Sequence, residues 1–349
     1  MYFQNDSVRK FFDKNILNKE VVKDELVSIN KSTSNNDDIY AYDNKIVILN
    51  QNNLEIYNRT GHQEKTLEVE ISKPIFESNG KYLYIAEREG KSLYLISGNH
   101  IVWQKDLEGN ISNVCVNKNG YVAVNLKGTA YKSVIQVFDN EGTEILTKYS
   151  SSTVVSDIAL SNNNEELAIA KIDYSGITIK SIIEIIDVTK AETIKSYEAK
   201  ADDLLININY HKNNLVCMYD TYINVIENGN TNDLTKFEES NTLFASIDLK
   251  SSIVEVEKVQ SGLLSSQISA KIINSNNKRE NVFELIDEPK EIYSSSNVIC
   301  FNLGTEVIFA STNGILIKKY KTSQEIQSIV LGESIAGILY NNEIRIINL

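Results

Sequence analysis

Proline is nearly missing. Pro74 and Pro289 are the only two in 349 residues, so little interrupts strand formation, because proline removes the backbone donor that a sheet interior needs. Cysteine is as sparse: Cys115, Cys217 and Cys300 lie far apart, each between apolar strand-like residues. That spacing does not describe a disulfide scaffold and reads instead as three small core residues. The three histidines, His62, His100 and His211, fall in turn-like surroundings, and no two share metal-ligand spacing, so no zinc site is expected. No run approaches eighteen uninterrupted apolar residues, and the first thirty residues lack the apolar centre and small-residue cleavage site of a secretory leader. The chain as it stands therefore reads as soluble. Its opening Tyr2-Phe3-Gln4 fits the remnant of a cloning or protease site, which leaves room for a segment upstream. Positive charge is short too. With 35 Lys and Arg against 47 Asp and Glu, the net charge of −12 repels nucleic acid and anionic lipid, both of which are bound chiefly through phosphate.

What the chain has is short alternating apolar segments. KIVILN (45–50), LEIYN (54–58), YLYIA (82–86), SLYLIS (92–97), YVAVN (121–125) and VIQVF (134–138) are strands by their period of two and their Val, Ile and Tyr content. Between them stand turn clusters rich in Asn, Gly, Ser and Lys: SNGK (78–81), NKNG (117–120), SNNNE (161–165) and HKNN (211–214). The fold class is all-β, a procession of hairpins.

The strand that follows each such turn recurs near Lys45, Lys81, Gly120, Leu167, Leu215, Ile253, Val298 and Ile335. Intervals of roughly 36 to 48 residues suit one four-stranded propeller blade. Eight markers predict eight blades. Seven is the alternative, because the repeat is weak between residues 230 and 300. A lone blade cannot bury both faces of its sheet, whereas neighbours around a ring can. The C-terminal segments supply three strands and then stop, so a fourth is expected from residues 25–29. The propeller is thus predicted over residues 25–349, with residues 1–24 as helix and linker. In that leading segment Val8, Phe11, Phe12, Ile16 and Leu17 share one helical face, behind Asn5 or Asp6 as a cap.

Catalytic signatures are missing. There is no phosphate loop, no nucleophile elbow and no calcium loop; DNEG (139–142) is an ordinary turn. The acidic pairs Asp37-Asp38, Glu165-Glu166, Asp202-Asp203 and Glu238-Glu239 sit at predicted turns, where neighbours seldom share the pocket that paired-carboxylate chemistry requires. They read as solvated surface. No cofactor, metal or catalytic residue is expected.

SNGKYLYIA (78–86) and SNNNEELAIA (161–170) resemble worn blades of WD-like and quinoprotein-like propellers, without the diagnostic dipeptides and with Trp103 as the one tryptophan. More specifically, YAYDNKIVIL (40–49), LYLISGNHIVWQKDL (93–107), YSG (174–176) and FNLGTE (301–306) look like a clostridial family of propellers of unknown function, a likeness that spans nearly the whole chain. Members of that family generally carry one membrane-spanning helix ahead of the ring. The resemblance therefore implies a bacterial, extracytoplasmic, membrane-anchored location through an anchor not in this chain, with the cytoplasm as the alternative. It supplies no catalytic residues.

The expected role is a monomeric, noncatalytic scaffold for a protein partner, since a rigid ring displays many loops. A hydrolase or lyase acting on a cell-surface glycan is the alternative, and acids with shifted pKa gathered in the central funnel are what would favour it. Long connections between second and third strands in blades 3, 4 and 6 place Tyr131, Tyr174, Leu263 and Leu264 on one face as the candidate recognition patch.

Overall fold

In the computed structural model, which describes residues 27–30, 38–128, 130–200, 203–238, 240–260 and 266–349, the chain forms eight four-stranded antiparallel sheets. They are the blades of one propeller. The inner strands, in blade order, are Asp38–Tyr42, Pro74–Asn79, Asn110–Val116, Val154–Leu160, Leu205–His211, Thr242–Ser246, Glu291–Ser295 and Ser328–Leu331. The second strands begin at Lys45, Tyr82, Val122, Glu166, Asn214, Ser252, Val298 and Ile335, within two residues of every predicted marker. Eight is the blade number, and seven is excluded.

The alternation explains why the blades stack. In the strand Tyr82–Glu87, Leu83 and Ile85 point to one side and join Val47 and Leu54 of blade 1. Tyr84 and Ala86 point to the other side and join Val114 and Val122 of blade 3. A strand covered on both faces is buried residue after residue, as this one is from Leu83 to Ala86. The same arrangement recurs at each seam, so the ring carries eight apolar clusters, one between every pair of neighbouring blades. Cys217 and Cys300 are buried in two of these clusters.

Polar groups stitch the seams further. The buried Tyr84 hydroxyl donates to Gly120 O at 2.7 Å, from blade 2 to the first turn of blade 3. Gly120 has φ +79°, and a Cβ there would lie 2.8 Å from the Tyr82 ring, so only glycine permits both the turn and the close approach. His211, whose surroundings read as turn-like, is the last residue of the inner strand of blade 5 and lies buried at the seam between blades 5 and 6. Its Nε2 lies 2.7 Å from Ile247 O and must carry the proton, because a carbonyl only accepts; Nδ1 lies 2.9 Å from Ser275 Oγ, whose hydroxyl also reaches Ser251 O at 3.1 Å. Burial holds its pKa down at about 4.

Blade 8 is completed from the far end of the chain. Ser28–Asn30 pairs antiparallel with Glu343–Asn348 in the register Ser28 to Arg345, Ile29 to Ile344 and Asn30 to Glu343. Ile346 N adds a bond to Val27 O at 2.9 Å. Part of the segment expected to close the ring, and the helix expected before it, lie outside the described residues.

Because every blade is antiparallel, its turns divide between two faces. Second-to-third turns and blade-to-blade connections leave the upper face. First-to-second and third-to-outer turns leave the lower one.

Candidate functional site

The upper face holds the candidate patch. Tyr131 lies in the connection between Val122–Lys127 and Ser133–Phe138 of blade 3, and Tyr174 lies in that between Glu166–Asp173 and Lys180–Asp187 of blade 4. The structure brings these two loops together through Lys132. Its ammonium sits 4.4 Å from the centre of the Tyr174 ring, donates to the Tyr174 hydroxyl at 2.9 Å and donates to Ser152 O at 2.9 Å. Tyr131 packs on Tyr149, with ring centres 4.7 Å apart. Tyr131, Tyr149, Val154, Tyr174, Ile177 and Ile179 are all exposed, a grouping of apolar side chains on one sector of the ring. Leu263 and Leu264 lie outside the described residues.

Tyr149, Ile177 and Ile179 escaped the sequence reading. An isoleucine at the tip of a hairpin has the same spacing as one in its buried stem, so alternation alone does not separate them.

The second feature is the central channel, a cavity of about 510 Å³ lined by the inner strands. Bulges shape it. The inner strands of blades 3, 4 and 5 each shift register by one residue, between Ile111 and Asn113, Val155 and Asp157, and Leu205 and Asn207. Such a bulge re-aims the side chain that follows it. Asp157 thereby spans three blades: it accepts from Asn113 Nδ2 at 2.8 Å, from its own neighbour Ile158 N at 2.9 Å and from Ile208 N at 2.9 Å. Across the channel, Asp248 accepts from Ser246 Oγ at 2.9 Å, and Ser246 Oγ lies 2.5 Å from Ser294 Oγ of blade 7.

Glu77 completes an acidic trio with Asp157 and Asp248. Burial, and secondarily the neighbouring Asp248 and Asp157 carboxylates, push its pKa up from 4.5 to about 8. Burial also raises Asp157, against the three hydrogen bonds that favour its charged form. Asp248 is raised by burial as well, although it opens onto the cavity, where water screens part of that push. Among the described residues that line the channel there is no Lys, Arg or His. Tyr40 stacks on Phe76 at 5.2 Å beside the trio, and the half-buried Cys115 lines the same wall.

None of these acids belongs to the adjacent pairs that the sequence offers. Glu77, Asp157 and Asp248 come singly from blades 2, 4 and 6, each the one carboxylate on or just after its inner strand. That unpaired carboxylate was the available signal. Its convergence with the others depends on ring closure, which spacing does not encode.

A closed ring of four-stranded blades with a polar axial channel is a β-propeller, and the comparisons agree on that class. The chain belongs to DUF5711, a family of unknown function, whose model matches residues 18–349. No curated protein sequence matches it. Among solved structures it is similar to BamB from Moraxella catarrhalis (12% identity, TM-score 0.55, covering 94% of this chain and 98% of that one). It is also similar to the C-terminal WD40 domain of Sif2 (11%, 0.58, 93% and 99%). A third likeness is to the dihydro-heme d1 dehydrogenase NirN in complex with DHE (11%, 0.53, 86% and 69%). At such identities the likeness speaks to the fold alone, and the fold serves both WD40 modules and an enzyme.

Proposed function

We propose that the protein is a noncatalytic interaction scaffold that docks a partner protein on the upper face of blades 3 and 4. The observation that carries this reading is the exposed cluster around Tyr131 and Tyr174, held on a rigid ring by Lys132. Aromatic side chains fixed in this way lose little entropy on binding and commonly dominate interface energy. Leu263 and Leu264, on the corresponding connection of blade 6, belong to the same proposal. Quantitative affinity capture with the wild type and with Tyr131→Ala/Tyr174→Ala tests it. The double variant is expected to melt within a few degrees of the wild type while losing at least about tenfold in captured partner. Undiminished capture by the folded variant would sink the proposal.

We place this scaffold on the outer side of a bacterial membrane, a reading supported by the clostridial resemblance and tested by protease accessibility in intact cells. No helix among the described residues is long and apolar enough to cross a membrane.

A second reading is favoured by the acidic trio. A carboxyl that keeps its proton near neutral pH beside two further carboxylates is the pairing of acid and base that glycan cleavage uses. On this reading Glu77 is the proton donor, and Asp157 or Asp248 is the base. Reducing-end release from surface polysaccharide by the wild type, abolished in Glu77→Gln, is the expected result. Equal release by both proteins, or none by either, removes the reading.

A further inference from the structure

On the lower face the channel widens into a mouth of about 660 Å³ that shares Asn79, Asn209 and Asp248 with the channel proper. Four of the asparagines lining it behave alike. Asn79 Nδ2 donates to Val116 O at 3.4 Å, Asn119 Nδ2 to Asn162 O at 3.0 Å, Asn162 Nδ2 to Lys212 O at 3.4 Å and Asn209 Nδ2 to Ile247 O at 3.0 Å. Each amide thus reaches from its own blade to the next, through blades 2, 3, 4, 5 and 6. A carbonyl oxygen only accepts, so every bond fixes which end of the amide is nitrogen. The four Oδ1 atoms are left without a protein partner among the described residues.

Turn geometry does not account for these residues. The left-handed positions in the same turns fall on Gly80, Gly120, Asn164 and Lys212, not on the four asparagines. Asn79, Asn119 and Asn162 are therefore free of the conformational demand that usually places Asn in a turn. Lys118 and Lys212 stand on the same rim, and neither ammonium has a carboxylate partner among the described residues, in a protein whose net charge is −12.

A mouth that offers several unspent acceptors together with two free cations matches one class of ligand: a molecule rich in hydroxyl donors that also carries an anionic group. We propose that the lower mouth binds an acidic glycan. Sugar hydroxyls donate to the amide oxygens of Asn79, Asn119, Asn162 and Asn209, and the carboxylate of a uronic-acid unit lies against Lys118 and Lys212. This site is on the opposite face from the proposed docking patch and needs no bond to be cleaved.

Isothermal titration with tetragalacturonate, and with maltotetraose as the neutral comparator, tests the proposal. The wild type is expected to bind tetragalacturonate with Kd below about 1 mM and to bind maltotetraose at least about tenfold more weakly. Lys118→Gln/Lys212→Gln, both on exposed turns, is expected to weaken tetragalacturonate about tenfold. Asn79→Ala, whose bond across the seam is long, should weaken it about threefold. Tyr131→Ala/Tyr174→Ala should leave it unchanged. Absent binding of tetragalacturonate, equal affinity for the neutral sugar, or indifference to the lysine substitutions in a protein that melts normally would each overturn the site.

Discussion

A chain beginning at Lys31 is expected to unfold at clearly lower urea than the full chain and to associate in solution. Blade 8 takes its outer strand from Ser28–Asn30, and Ile29, only 5% exposed, packs with Ile344, Ile346, Ala41 and Ile46 across the closing seam. Removing the strand deletes that side chain and uncovers Ile344 and Ile346. Burying one isoleucine is worth about 1.5–3 kcal/mol, and each ladder hydrogen bond contributes about 1 kcal/mol. The expected loss is therefore about 4 kcal/mol or more, a large share of the roughly 5–15 kcal/mol that holds a domain folded. Ile29→Ala separates packing from pairing: it keeps the backbone ladder and is expected to lose about 2–4 kcal/mol. Truncation also bares Glu343–Asn348 as an edge, a template for another chain, so size-exclusion chromatography should show dimers or larger species. If the truncated chain unfolds at the full chain's midpoint, closure by the N-terminal strand contributes nothing and the account is wrong.

The same closing strand shows what a sequence reveals here and what it does not. The second strand of each blade was legible because it is buried on both faces, so Leu83, Tyr84, Ile85 and Ala86 stand together between turn residues in a way no surface strand allows. The last blade's missing strand could be inferred by counting, and an N-terminal strand does pair with Glu343–Asn348. The inner strands were harder to read. There the alternation is broken by bulges and by polar residues facing the axis, and Glu77, Asp157 and Asp248 come from alternate blades, with one whole blade between each and the next. Only the ring brings them together. His211 shows the converse problem: its neighbours Lys212 and Asn213 are turn residues, yet its own ring is buried and bonded to Ile247 O and Ser275 Oγ of blade 6, contacts that local composition does not encode. Tyr131 and Tyr174 could be found as loop residues, and the structure does place their loops side by side. Their companions Tyr149, Ile177 and Ile179 could not, since exposure of a strand end is a property of neighbours.

Replacing Glu77 with glutamine is expected to make the protein more stable in alkali. In the folded chain the Glu77 carboxyl titrates at about 8, against 4.5 for the free group. Between those two values the native state keeps a proton that the unfolded state has released, so stability falls as pH rises through the window, and the loss is complete above pH 8. The full displacement corresponds to about 5 kcal/mol; water in the channel screens part of it, and about 2 kcal/mol is the expected effect. Glutamine keeps the size and hydrogen-bonding capacity of the protonated acid and never ionises. It also removes a neighbouring charge from Asp157 and Asp248. Urea unfolding at about pH 4, below the free-group value, should therefore give nearly equal free energies for the wild type and Glu77→Gln, whereas at about pH 8.5 the variant should exceed the wild type by about 2 kcal/mol. His211 tilts the acid side the other way. Its folded pKa of about 4 lies below the ordinary 6.5, so the unfolded state binds the proton first as pH falls through that interval, and stability drops. Between pH 4.5 and 6.5 the two slopes oppose each other, so the wild type should be most stable across that interval, losing stability to Glu77 above it and to His211 below it. Glu77→Gln should keep the acid limb and make the alkaline one shallower, leaving the part that the raised Asp157 and Asp248 contribute. Parallel pH profiles for the two proteins would mean that Glu77 is ionised at no cost, and the channel would then be far wetter than its lining implies.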